Sequence, residues 1–330
     1  MWRQVGLRSS GVDGYGRYMT TATPADAPAA PATAPFGRML TAMITPMTPD
    51  GAVDYDGAAR LASYLVDDMR NDGLVVSGTT GESPVTSDEE KDRLLRTVIE
   101  AVGDRASIVA GVGTNDTAHT RELARQAERA GADGLLVVTP YYSKPPQHAL
   151  LAHFRAVADA AELPVLLYDI PGRTGTPIAT GTLVQLAEHP RIVGVKDAKD
   201  DVAATSEVLA RTDLVYYCGT DMLNLPWLSL GAVGFVSVAG HVVGDRLHEM
   251  IDEFEAGQTG RARELHLSLL PVYTGLFRNQ GLVMSKAALG LLGLPGGPVR
   301  LPLESATADE IRRLREDLEL GGLKLPGSGS

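Results

Sequence analysis

The chain carries a single cysteine, Cys218, in 330 residues. One thiol excludes an intramolecular disulfide and fits a reducing compartment. It lies inside LVYYCGT, where it reads as a small buried strand residue. No apolar run is long enough to span a bilayer, and the N-terminus lacks the charged-then-apolar layout of a signal peptide. A soluble cytoplasmic protein is expected. Positive charge is also in deficit: Lys and Arg total 30 against 41 Asp and Glu, a formal net charge of −11. With no basic block and no aromatic and basic interleaving, duplex and single-strand nucleic acids are excluded as partners. A small anionic substrate stays possible, because a pocket can be locally positive. There is no H-E-x-x-H, no paired-cysteine motif and no tight histidine cluster, so no metal is expected. His148 and His153 read as surface or capping residues. GVGTND is not a dinucleotide turn, no phosphate-binding P-loop exists, and G-x-S-x-G is absent. No cofactor is implied.

What is present is an alternation. Eight short apolar runs recur, at 39–46, 73–80, 107–113, 134–140, 164–170, 192–198, 214–220 and 234–240. Each is rich in Val, Ile and Leu and bounded by turn residues, as strands buried on both faces are. Segments of helical period separate them. One places Leu61, Leu65 and Met69 on a stripe, and another opens with a Ser87/Glu90 capping box. Eight β/α repeats predict an α/β TIM barrel, (β/α)8, over residues 36–258. The rival, a doubly wound sheet, lacks its glycine-rich turn: the first strand runs into TPMTPDG. Residues 259–330 read as three helices, a small C-terminal appendage ending in an LPGSGS tail. Residues 1–35 read as a disordered tail, Ala/Pro/Thr-rich from Met19 onward. Met19 is a candidate true start.

In such barrels chemistry sits at the C-terminal strand ends. Here those ends carry Thr79, Thr80 and Glu82 after the second run, and Tyr141 and Tyr142 after the fourth. Tyr168, Asp169 and Arg173 follow the fifth, and Lys196 closes RIVGVK in the sixth. A cation in a buried strand admits two explanations. A structural one pairs Lys196 with Asp197, Asp200 or a neighbouring strand's carboxylate, since an unpartnered buried ammonium costs several kcal/mol. A functional one uses burial to favour the neutral amine, a nucleophile toward a keto carbon. Lys199 is the weaker candidate, at an expected solvated helix start. SGTTGES is either a polar turn or a source of hydroxyls and N–H groups for a carboxylate. Tyr168 is either core or a proton carrier, and Arg173 either a surface ion pair or an anion clamp.

The ordered motifs SGTTGES, VTPYY, LLYDIPGRTG, IVGVKDA and GFVSVAG, spread over about Phe36 to Leu320, resemble the dihydrodipicolinate synthase family of pyruvate-dependent class I aldolases. The resemblance implies condensation of pyruvate with aspartate semialdehyde to 4-hydroxy-tetrahydrodipicolinate, on the diaminopimelate and lysine branch. Lys196 would form the imine. Thr79 and Thr80 would hold the pyruvate carboxylate, Thr80 linking Tyr168 to Tyr142 in a proton relay. Tyr142 would enter a neighbouring subunit's site, which implies a homo-oligomer, in this family a tetramer built as a dimer of dimers. Arg173 would bind the semialdehyde carboxylate, and Gly219 and Val236 would offer backbone contacts near the pyruvate. A lysine pKa of roughly 7–8 suits such work. Relatives that cleave sialate or keto-deoxy sugar acids typically lack the arginine, so Arg173 favours the semialdehyde. A sugar-acid aldolase and a silent keto-acid-binding paralogue are the alternatives. Asp197 replaces a glutamate common in relatives. Where lysine-inhibited members carry two histidines and a glutamate, this chain has Asp88, Lys91 and His119. Weak or absent lysine feedback is expected.

Overall fold

The computed structural model describes residues 33–326; the N-terminal tail, but for its last three residues, and the candidate start at Met19 lie outside them. Eight strands, β1 (Met39–Ala42), β2 (Gly73–Val76), β3 (Ser107–Gly111), β4 (Gly134–Val138), β5 (Val165–Asp169), β6 (Ile192–Asp197), β7 (Val215–Cys218) and β8 (Gly234–Ser237), pair in parallel and in sequence order. β8 returns to β1 with Val236 opposite Leu40, closing the barrel. Between and around them run α1 (Tyr55–Asp67), α2 (Asp88–Val102), α3 (Thr117–Ala130), α4 (Gln147–Ala158), α5 (Pro171–Thr174), α6 (Thr180–Leu186), α7 (Val202–Leu209) and α8 (Asn224–Leu230). The chain then continues through α9 (Gly240–Glu255), α10 (Thr259–Leu276), α11 (Gly281–Leu291) and α12 (Ala308–Leu320). The expected TIM barrel with C-terminal helices is the observed fold.

Strand alternation explains why the runs are apolar throughout. Leu40, Val75, Val109, Leu136, Leu166, Tyr168, Tyr217 and Val236 fill the barrel interior. Their neighbours Met39, Leu74, Ile108, Leu135, Leu167, Val195, Tyr216 and Phe235 face the helices. In β6, Gly194 pairs with Leu166 and Lys196 with Tyr168, which puts Lys196 on the inner face. Gly194 is obligatory there: a Cβ would lie 2.5 Å from the Val215 carbonyl oxygen. The Ser87/Glu90 capping box forms in both directions. Leu61 and Leu65 are buried, whereas Met69 lies past the end of α1.

Three expectations are corrected. His153 is not a surface residue: α4 buries it, and its Nδ1 meets Thr117 Oγ1 at 2.9 Å. Lys199 is not solvated; its side chain is only 12% exposed and lies 3.7 Å from Asp169, a carboxylate that burial at the end of β5 has stripped of water. Leu325, in the expected C-terminal tail, is buried in the same core cluster as Leu314 and Leu318 of α12.

Candidate active site

The β2–α2 connection builds the first wall. Gly81 N–H donates to the Gly78 carbonyl (3.1 Å) and Glu82 N–H to the Thr79 carbonyl (3.2 Å), folding Thr79–Glu82 into a tight turn. Thr45 Oγ1 donates to the Gly81 carbonyl at 2.6 Å. Glu82 takes a left-handed conformation, φ 59°, unusual for a residue with a Cβ. Its buried carboxylate is held by Lys286 Nζ at 2.5 Å and by the Arg300 N–H at 2.8 Å. The turn is therefore pinned from the C-terminal region. Thr79 faces a cleft of about 770 Å³, open to solvent, which Tyr168, Arg173, Tyr141 and Ile170 also line. Thr80, next in the turn, is buried.

Tyr168 and Lys196 sit side by side at the ends of β5 and β6. The Lys196 Nζ lies 4.2 Å from the centre of the Tyr168 ring. Among the described residues no carboxylate forms an ion pair with it, so the structural explanation for this cation is not what is observed. Burial pulls the Lys196 ammonium down to about 8; the Asp221 carboxylate opposes that shift and the Arg173 charge adds to it. Burial likewise pushes the Tyr168 phenol up to about 12, against the charge of Arg173 and a hydrogen bond with Thr79. At neutral pH the phenol keeps its proton, while an appreciable share of Lys196 is neutral amine.

Arg173 stands on α5, a single turn closed by Gly175 at φ 74°. Its Nη2 donates to Gln280 Oε1 at 2.8 Å. Gly219 abuts the lysine: a Cβ on it would lie 3.1 Å from Lys196 Cε and 2.8 Å from the Asp197 carbonyl oxygen. Val236 is buried on the interior of β8. Tyr142 is 89% exposed at a positive φ of 72°. Lys196, Tyr168, Thr79 and Arg173 thus converge, Gly219 touches the lysine stem, and Tyr142 points its side chain into solvent.

Asp221, Gln280 and Lys286 are additions that sequence reading did not single out. Asp221 is fully buried and accepts from Asn224 Nδ2 (3.2 Å), Val238 N–H (3.0 Å), Ala239 N–H (2.9 Å) and the Ser237 hydroxyl. Its charge opposes the downward pull of burial on Lys196. Behind the strands, Asp169 and Asp197 lie opposite each other and share the neighbourhood of Lys199. Burial raises both carboxyls, Asp169 to about 7. Among the described residues no group of three or more His, Cys, Asp or Glu side chains could hold a metal ion. Chemically the arrangement offers a protonated phenol, a threonine hydroxyl and a guanidinium lining one cleft, with an amine that is partly neutral buried beside the phenol. That is a set suited to attack on the carbonyl of an anionic substrate.

Residues 35–320 match the model described as the dihydrodipicolinate synthetase family. A protein of Acidothermus cellulolyticus named 4-hydroxy-tetrahydrodipicolinate synthase is 66% identical over 289 residues, 88% of this chain and 94% of its own length. The enzyme named 4-hydroxy-tetrahydrodipicolinate synthase 2 of Streptomyces coelicolor is 61% identical, covering 91% of this chain and all of its own. Among solved structures, the Cyanidioschyzon merolae DHDPS with lysine bound superposes with a TM-score of 0.86 at 41% identity, over 88% of this chain and 99% of that one.

Proposed function

The chain belongs to the dihydrodipicolinate synthetase family, and we propose that it condenses pyruvate with L-aspartate 4-semialdehyde to give 4-hydroxy-tetrahydrodipicolinate, on the route to diaminopimelate and lysine. The observation that carries the reading is Lys196: a buried amine with no ion-pair partner among the described residues, held 4.2 Å from the centre of the Tyr168 ring.

The neutral Lys196 amine adds to the keto carbon of pyruvate, and loss of water with uptake of one proton leaves the protonated imine. That cation makes the pyruvate methyl acidic, and loss of a methyl proton gives the enamine. The imine itself is the electron sink, so the step calls for no further cofactor. The enamine carbon then attacks the aldehyde carbon of the semialdehyde, whose oxygen takes up a proton. The substrate's own amine displaces Lys196 by transimination, closing the ring and freeing the enzyme. Thr79 and Thr80 hold the pyruvate carboxylate, and Tyr168, with its phenol protonated, carries protons. Gly219 and Val236 offer backbone groups near the bound keto acid. Arg173 binds the semialdehyde carboxylate.

Tyr142 completes the relay from a neighbouring copy; its near-complete exposure in a single chain supports that reading. The working form is then a homo-oligomer, a tetramer built from two dimers, and it works in the cytoplasm. No described helix is long and apolar enough to cross a membrane.

The test is a condensation assay with both substrates. The native chain should form the ring product, and Arg173→Ala should raise KM for the semialdehyde by about a hundredfold, the scale of a lost charge-assisted pair. Cleavage of sialate or a keto-deoxy sugar acid, with no condensation, would contradict the proposal.

A further inference from the structure

We propose that Gln280 is a positioning residue for Arg173, and that α11 acts as a bracket fixing the spacing between the two carboxylate-binding ends of the cleft. This rests on the function proposed above, because it assigns the part of the semialdehyde's recognition that Arg173 alone does not explain.

An exposed arginine on a one-turn helix has many rotamers, and ordering it on binding carries an entropic cost. Here the guanidinium is already held. Nη2 donates to Gln280 Oε1 at 2.8 Å, across 107 positions of chain. The acceptor is a neutral amide. A carboxylate in its place would spend the positive charge that the substrate needs, whereas an amide oxygen occupies one of five donors and leaves the charge intact. Gln280 is itself fixed. It is the N-cap residue of α11, its N–H donates to Asn279 Oδ1 at 2.7 Å, and Asn279 Nδ2 donates to Glu310 Oε1 at 2.8 Å.

The other end of the bracket lies further along the same helix. Lys286 is buried and donates to Glu82 Oε1 (2.5 Å) and to the Pro298 carbonyl (2.6 Å). Glu82 closes the turn that presents Thr79, in a backbone conformation that costs energy unless its surroundings enforce it. Arg300 reinforces the contact: its N–H binds Glu82 Oε2 (2.8 Å), and its guanidinium meets Glu90 (2.6 and 2.8 Å). One helix therefore ties the Thr79 turn to the Arg173 turn. The span between them sets how far a substrate's carboxylate can stand from the reacting carbon, which selects a short semialdehyde over a longer polyhydroxy acid.

The experiment compares Gln280→Met and Gln280→Ala with the native chain, measuring KM for each substrate separately and the rate of pyruvate trapping by borohydride. The half-exposed position makes misfolding avoidable, and thermal melting checks it. The expected result is a rise of about tenfold in KM for the semialdehyde, the scale of one hydrogen bond to a charged group. Pyruvate KM and trapping should stay within about twofold. In an Arg173→Ala background, Gln280→Met should add nothing, since the two act as one unit. An unchanged semialdehyde KM, an equal rise for both substrates, or the same rise without Arg173 would each overturn the proposal. A native chain that traps pyruvate yet refuses the semialdehyde would overturn the functional reading itself, and shows before any variant is made.

Discussion

Lys196 is legible in the sequence because it breaks a rule: a cation closing an apolar run does not belong to a strand buried on both faces. Its surroundings decide its chemistry. Burial lowers its pKa from 10.5 to about 8 against the pull of Asp221, a difference of about 3 kcal/mol in favour of the neutral form. At pH 7 about a tenth of the amine is then neutral, against well under a thousandth for an ordinary lysine. The sign gives a prediction. Protonation removes the nucleophile, so kcat/KM for pyruvate should fall about tenfold per pH unit below 8 and level off above it. Steady-state kinetics from pH 6 to 10, marked off in about unit steps, check this. A profile still climbing at the alkaline end would mean an unperturbed lysine. Gln280 and Asp221, by contrast, break no local pattern. An amide near a helix start and an acid after a Gly-Thr pair are ordinary, and only the fold brings them to Arg173 and Lys196.

The strands and helices were readable as elements, because two-sided burial and helical period leave direct marks on the sequence. Misplaced side chains lay where a tertiary neighbour overrode the local reading: Lys199 drawn to Asp169, and His153 buried beside Thr117. The contact between α2 and α3 shows the same effect. Asp88 Oδ2 meets His119 Nε2 at 2.9 Å, Asp88 Oδ1 lies 3.6 Å from Lys91 Nζ, and Lys91 also donates to the Thr86 carbonyl at 2.6 Å. The positions expected to receive inhibitor in lysine-sensitive relatives thus hold a set of partners in which Asp88 bridges His119 and Lys91. An incoming lysine ammonium would meet a like charge and have to displace Asp88. Micromolar L-lysine should leave steady-state rates unchanged; inhibition in that range would contradict this.

At the scale of the molecule, the eightfold alternation was enough to reach the barrel, since few topologies accommodate that order of buried parallel strands. The tie between the C-terminal helices and the site was not accessible that way. Glu82 and Lys286 are 204 positions apart, and neither announces the other. The acidic whole, net −11, also conceals a cleft lined by the positive Arg173, with Lys196 buried beside the lining residue Tyr168. The central claim is that the barrel exists to bury one reactive amine beside that cleft. The most direct measurement is to incubate the folded chain with pyruvate, reduce with borohydride, and map the adduct by mass spectrometry. The account predicts a pyruvate-derived adduct on Lys196. An adduct on another lysine, or none with no pyruvate bound, would contradict it.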